Sequence, residues 1–478
     1  MSQLPDYVAS AKPNSPENRA PWLTTTAATY AGIMLWFVFW SAFPSGGTDS
    51  LAGGVLSQGL LFALGSLVVA AFICYFGFYH VPGMLGMKTG LPLYIVGTST
   101  YGVTGGFIMP GFLMGCLQFG WLSVNAYFAG GGLASIIQGG EASWVLHVGI
   151  GIVWAIVAAF VGLKGIQYVG MIASYMPIIP IVVLICLFFC TIGGVFSFDP
   201  QAAVQTGIDA AAAVDPPKTI EAVGLYGSGQ LGSLSGQLGV FSLICAYVVG
   251  FFATAGAAGC DFGANNKDRS AVIMGGLVGI AGATIFTGAV ALIAIAGAQG
   301  KLEGSLNPYV SMKLLTGGSL GGLFMLLLAL AAFPSACFSS LIAANSFKTT
   351  LPKVDPFISC GIGTAVACLL VITGLAGQAG TVFGFIGASF GPVCGAMMAD
   401  YLLAGKKGAG PRESYNPAGW ISFAVGFLVG GLPLMGVLAS VIPCPPVSAF
   451  VVGFVLYYAL AKAGLESKVL DMPQRIDN

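Results

Sequence analysis

Charge is what this 478-residue chain has least of: Asp, Glu, Lys and Arg make up only 7% of it, against 56% hydrophobic residues. Few soluble proteins stay dissolved on so little charge, which excludes an ordinary cytosolic domain and points to an all-α polytopic membrane protein. Histidine is nearly missing; His80 and His147 lie far apart and build no metal or haem constellation. None of the eleven cysteines forms a Cys-x-x-Cys pair, and Cys74, Cys116, Cys186, Cys190, Cys245 and Cys368 fall inside apolar runs. They read as small membrane-helix residues, not a disulfide set. The apolar runs hold no HExxH and no Ser–His–Asp set, which speaks against a hydrolytic or redox enzyme. A secretory signal is missing too: residues 1–26 are polar and Pro-rich, and are expected to form a disordered cytoplasmic tail. The formal net charge of zero singles out no partner. Lipid and a small molecule are expected, with no nucleic acid and no obligate protein partner.

What the chain has in quantity is glycine, 72 residues of it, which suits helices packed backbone to backbone in a bilayer. Hydropathy marks twelve spans, near 27–45, 54–79, 104–130, 143–163, 168–195, 238–259, 271–297, 318–347, 356–376, 380–404, 417–441 and 443–463. If the N-terminus is cytoplasmic, only Lys218, Lys301 and Lys313 of the 17 basic residues fall on the outer side. That bias places both termini inside, in a multi-pass protein of the cell inner (plasma) membrane. The longest loop, 196–237, is outer and carries Asp199, Asp209, Asp215 and Glu221 against one lysine. It separates spans one to five (27–195) from spans six to ten (238–404). Spans eleven and twelve follow within 405–463, and 464–478 is a second cytoplasmic tail.

Span one meets Pro44-Ser45-Gly46-Gly47. A helical Pro44 cannot donate to the carbonyl of Trp40, and in hydrocarbon a freed carbonyl costs several kcal/mol unless something satisfies it. Either a cation in a protein-lined cavity does so, as in carriers built on broken helices, or the helix simply ends in an interfacial turn. Span six is interrupted by Gly250, Gly256 and Gly259. Breaks in the first helix of each five-helix half are the trace expected of an inverted repeat. Pro110, Pro177, Pro180 and Pro334 can kink spans three, five and eight, though membrane helices tolerate proline generally.

No Asp, Glu, Lys, Arg or His sits at the middle of a span; Asp261 and Asp400 fall near the inner ends of spans six and ten. Proton-driven carriers usually keep such a group at mid-membrane, so its lack favours an ion held by carbonyl and hydroxyl oxygens, which points to sodium. Span three instead carries Gln118 and Trp121 on one helix face. A carboxamide can read the edge of a planar heterocycle and an indole can stack on it, which is worth about 1–3 kcal/mol per base. Phe251 and Phe252 at the glycine break of span six offer a second ring, against the alternative of lipid-facing phenylalanines. Ser339 and Ser340 in span eight supply hydroxyls suited to sodium or to helix packing, and Asn345 offers a second amide.

At these residues the sequence resembles the nucleobase–cation symporters, the family of cytosine permease and the bacterial hydantoin carrier. Four stretches carry the resemblance: 86-GMKTGL-91 with the Gln118/Trp121 pair; 252-FATAGAAGCDF-262; Ala336, Ser339, Ser340 and Asn345; and 387-GASFGPVCGAMMADYLL-403, followed by an NPAGW start to span eleven. The resemblance implies a leucine-transporter-like fold of two inverted five-helix repeats plus two helices, importing a small planar nitrogen heterocycle by sodium-coupled alternating access. It implies that Trp121 and Phe252 sandwich the ring while Gln118 and Asn345 bond its edge. It also implies that carbonyls of Trp40, Phe43 and Ala336, with the Ser339 and Ser340 hydroxyls, hold the sodium ion. The chain departs from the family pattern at Ala258 and Cys260, where Asn and Pro are usual, and at Phe251, where Gly or Ser is usual. A same-fold carrier of amino acids, which would favour a Gly-x-Gly break in span one, and a non-transporting nucleobase sensor are the alternatives.

Overall fold

The architecture is that of a computed structural model, which describes residues 4–22, 36, 38–42, 54–164, 176, 178–205, 231–301, 307–438 and 441–471. Among them are ten helices long and apolar enough to cross a membrane. These are α2 (Leu60–Thr89), α3 (Thr98–Gln138), α4 (Trp144–Lys164), α5 (Ile178–Ser197), α6 (Leu234–Ala257), α7 (Arg269–Gly297), α8 (Ser319–Thr350), α10 (Ala379–Leu403), α11 (Pro417–Leu434) and α12 (Pro445–Lys462). A shorter apolar helix, α9 (Pro356–Ile372), and the described part of the first span, α1 (Val38–Ala42), complete the twelve expected spans. Phe43 and Pro44, and most of the acidic outer loop, lie outside the described residues.

Helix α3 begins earlier and ends later than hydropathy marks, because a hydropathy window sees only the apolar part. At about 1.5 Å per residue, a straight helix of that length would reach about 60 Å, twice the hydrocarbon thickness. It is not straight. Gly102 takes a left-handed φ of 81°, and a Cβ there would run into the Ser414 carbonyl oxygen. Wider π-type turns follow over Phe107–Leu113, around Pro110. The backbone groups released at the kink are taken by the loop before α11: the N–H groups of Val103 and Thr104 donate to the carbonyls of Arg412 (2.8 Å) and Ser414 (2.9 Å).

Two cores result. Helices α3, α4, α8 and α9 close on small residues such as Ala126, Ala155, Ala158, Ala336, Ala343 and Ala367. The larger core, of α2, α6, α7, α10 and α12, is built on Phe78, Tyr79, Val248, Leu292, Phe390 and Tyr457. In α6 the backbone runs helically through Gly250 (φ −58°, ψ −46°). The irregularities lie in π-type turns at Cys245–Val249, just before Gly250, and at Ala258, between Gly256 and Gly259, where a short helix, Gly259–Gly263, begins. Gly250 and Gly256 are contact points. A Cβ on Gly250 would strike the Phe383 carbonyl of α10, and one on Gly256 would meet Phe78 of α2.

The N-terminal segment, expected to be disordered, is docked over residues 4–22. Asn14 donates its N–H to the Gly90 carbonyl (2.9 Å), and the Arg19 guanidinium donates to the Met87 carbonyl (2.7 Å). A helix end leaves its last carbonyls without intrahelical partners, and a basic side chain there also meets the negative end of the helix dipole. Ala20 then pairs with Asn266 in an isolated parallel bridge, and the Tyr7 hydroxyl donates to the Val103 carbonyl.

One ionic cluster is buried among the ends of these helices. The Arg412 guanidinium donates to Asp400 (3.2 Å), to Glu466 (2.6 Å) and to the Ser99 carbonyl (2.7 Å). Asp400 also accepts from the hydroxyls of Ser99 (2.5 Å) and Thr100 (3.2 Å). Asn416 donates to the Thr100 carbonyl and the Tyr457 hydroxyl. The cluster ties the start of α3 to the end of α10, to α12 and to the segment after it. Asp261, on the short helix after α6, accepts from the Leu93 N–H (3.2 Å). Burial pushes its carboxyl up to about 6, outweighing the lowering effect of that N–H.

Removing one partner of a buried ion pair strands the other. Arg412→Ala is therefore expected to cost about 3–5 kcal/mol of stability, read as thermal unfolding of the detergent-purified protein, with Arg412→Met/Asp400→Leu losing less than the two single changes summed. Asp261 binds its proton more readily folded than unfolded, so it removes stability as pH rises from about 4 past 6. The stabilising effect of Asp261→Asn should thus be larger at pH 8 than at pH 5; an equal gap at both would refute the buried-carboxyl account.

Candidate functional site

Trp121 stands half-buried where α3, α6 and α10 meet. Gly250 lets the α6 backbone reach α10, and Gly120, beside Trp121, leaves room for Val382 and Ile386 of α10. The Trp121 indole lies 3.8 Å, centroid to centroid, from the Phe251 ring at an interplanar angle of 48°. Phe383 of α10 completes a three-ring cluster, 5.5 Å from Trp121 and 5.3 Å, nearly perpendicular, from Phe251. Phe252 packs edge-on behind Phe251 at 5.0 Å and is almost fully buried. The indole N–H donates to the Thr254 hydroxyl at 3.1 Å. Phe251 and Thr254 are three apart on α6 and so share the face turned to Trp121.

Among the described residues neither expected amide, Gln118 nor Asn345, hydrogen-bonds to this cluster. Gln118 is buried, and its amide N–H approaches the Met114 thioether (3.4 Å), a weak acceptor one turn back on its own helix. Asn345 is exposed. Two residues on, Phe347 stacks on Phe119 of α3 and holds α8 against it. The amide that joins helices is Asn125, four residues after Trp121. It donates to the Ala332 carbonyl (3.0 Å) and the Ser335 hydroxyl (2.9 Å) of α8 and accepts from the Trp154 indole of α4 (2.9 Å). Its spacing from Trp121 is the signal that could have found it. Thr254 lies in one of the stretches that carry the family resemblance, but Phe383 leaves no local trace.

Among the residues expected to hold a cation, Ala336, Ser339 and Ser340 are buried on α8. The Ser339 hydroxyl donates to the Ser335 carbonyl at 3.3 Å. The Ser340 hydroxyl is buried with no hydrogen-bond partner among the described residues. An orphaned hydroxyl of this kind costs about 1–3 kcal/mol and suits a hard cation. Trp40 is fully buried on α1, and its indole N–H donates to Ser311 (2.8 Å) on the connecting helix Pro308–Thr316. Among the described residues no group of three or more His, Cys, Asp or Glu forms a transition-metal site.

Comparison with known proteins agrees with this architecture. The chain is similar to the solved structure of Mhp1, a nucleobase-cation-symport-1 family transporter. In its closed, bromovinylhydantoin-bound conformation, identity is 15% over 96% of this chain and 97% of that one, with a TM-score of 0.62. The inward-facing conformation of Mhp1 gives 16%, 96%, 95% and 0.64. A Na+-coupled sialic acid symporter gives 13% over 97% and 93%, with a TM-score of 0.52. At these identities the likeness is one of fold: a leucine-transporter-like arrangement of two inverted five-helix repeats followed by two helices. No curated protein matches significantly. Residues 24–417 match the family model of permeases for cytosine/purines, uracil, thiamine and allantoin. The chain is thus a multi-pass membrane transporter, not an enzyme, and belongs to the family of permeases for cytosine/purines, uracil, thiamine and allantoin.

Proposed function

We propose that the chain imports a neutral, planar nitrogen heterocycle across the cell inner membrane, coupled to sodium entry, with both termini cytoplasmic. The observation that carries the reading is the setting of Trp121: a half-buried indole at a three-helix junction, surrounded by aromatic rings and one hydroxyl. Flat uncharged rings gain most from such a surface, about 1–3 kcal/mol for each ring stacked. The related fold of Mhp1 has been solved with a hydantoin bound, which supports the same class of ligand here.

For the coupling ion, the Ala336 carbonyl and the Ser339 and Ser340 hydroxyls would be the α8 half of an oxygen cage. Trp40 and Phe43 carbonyls of the first span would be the other half. The buried, unpartnered Ser340 hydroxyl supports this assignment. A sodium ion entering with the membrane potential supplies about 2.3 kcal/mol per 100 mV. The oxygens would join the first span to α8 in the outward-open state. Gln118, Phe252 and Asn345 would approach the substrate as the two repeats rock, since neither amide side chain hydrogen-bonds within the ring cluster in this conformation.

Coupling of two ligands is reciprocal. Labelled cytosine or uracil is therefore expected to accumulate in proteoliposomes only with an inward sodium gradient, and Ser339→Ala/Ser340→Ala should abolish the sodium dependence. Equal substrate affinity with and without sodium would sink the coupling claim. Trp121→Ala should weaken substrate binding by about 1–3 kcal/mol, roughly 5- to 160-fold; unchanged affinity would remove Trp121 from the site.

A further inference from the structure

A flat ligand held between two rings needs them about 7 Å apart, twice the ~3.5–4.0 Å contact distance. Phe251 lies 3.8 Å from Trp121, so nothing can enter on that side of the indole without displacing one of the two. Trp121 is the less free to move. Its N–H is held by the nearly fully buried Thr254 hydroxyl at 3.1 Å, and swinging the indole away would strand a donor at a cost of about 1–3 kcal/mol. The α6 backbone is not free to withdraw either. Gly250 lies so close to α10 that a Cβ on it would strike the Phe383 carbonyl, and a Cβ on Gly387 would come within 2.8 Å of the Gly250 Cα. The Phe251 side chain has no polar atom to strand, and it meets Phe252 and Phe383 through edge contacts only, so it is the cheaper of the two rings to displace.

We infer that Phe251 is the specificity-determining residue of this carrier: it occupies the Trp121 face when no substrate is present, and binding exchanges one ring for another. The inference rests on the heterocycle reading above and deepens it. A ligand must stack on the indole better than a phenyl ring does, so flat heteroaromatic rings qualify, while amino acids or sugars without such a ring do not. The closed fraction also lowers apparent affinity, since only the open fraction binds.

The test uses the full chain in detergent and two variants, Phe251→Ala and Phe251→Leu, the second keeping apolar volume in case the first fails to fold. Acrylamide quenching of tryptophan fluorescence, with each protein compared against the same protein carrying Trp121→Phe, isolates the Trp121 signal and needs no ligand. That signal should be several-fold more quenchable in the variants. Cytosine, uracil and adenine should bind the variants more tightly than wild type. Unchanged quenching overturns the inference. So does Trp121-dependent binding that weakens in both variants, because Phe251 would then be a fixed wall of the slot. If no probe binds any of the three proteins, the heterocycle reading falls and the specificity claim with it.

Discussion

Backbone hydrogen bonding in a medium without water governs this molecule. Wherever a helix departs from regularity, the N–H and C=O groups it releases must find partners inside the protein. At Gly102 the chain turns left-handed and the loop that includes Arg412 and Ser414 fills the gap with its own carbonyls. The end of α2 meets its partners in Asn14 and Arg19 of the N-terminal segment. The Arg412–Asp400–Glu466 cluster lies beside that first repair. Its charges can be buried only because each also accepts or donates several hydrogen bonds.

The irregular helices are not scattered. Wide π-type turns occur in α1, α2, α3, α6 and α7. Among the described residues, α4, α5 and α8–α12 run without them. Three of those regular helices, α4, α8 and α9, share the small-residue core with α3. An alanine-lined core lets helices approach closely and leaves little freedom to repack. The π-turned helices α2, α6 and α7 lie in the larger core of bulky side chains. Extra backbone in a π-type turn re-aims side chains and is frequent at functional sites; in α6 the turn immediately precedes the helix face that carries Phe251 and Thr254. The candidate site lies on α3, which contributes to both cores: Trp121 packs against the larger one, and its ring and hydroxyl partners come from α6 and α10.

Much of this was legible in the chain itself. Low charge, long apolar runs and the asymmetric placement of basic residues suffice for twelve spans, because the cost of burying charge in hydrocarbon is local and additive along the sequence. Trp121, Phe251 and Ser340 could be picked out because aromatic and hydroxyl groups are conspicuous there. Gln118 and Asn125 are equally conspicuous amides, three residues before Trp121 and four after it. Nothing local says which of them turns to its own helix and which to α4 and α8. That depends on where the neighbouring helices stand.

Length, span number and the chemistry available to a site are thus properties of the sequence, since each is set by residues close together along it. The tertiary structure alone decided that Phe251 and not Phe252 meets the indole, that Phe383 joins them from a helix far along the chain, and that Gly250 marks a close approach instead of a break. Those outcomes depend on the rotation and register of α3, α6 and α10 against one another. Packing sets these, with side chains from distant parts of the chain competing for the same space.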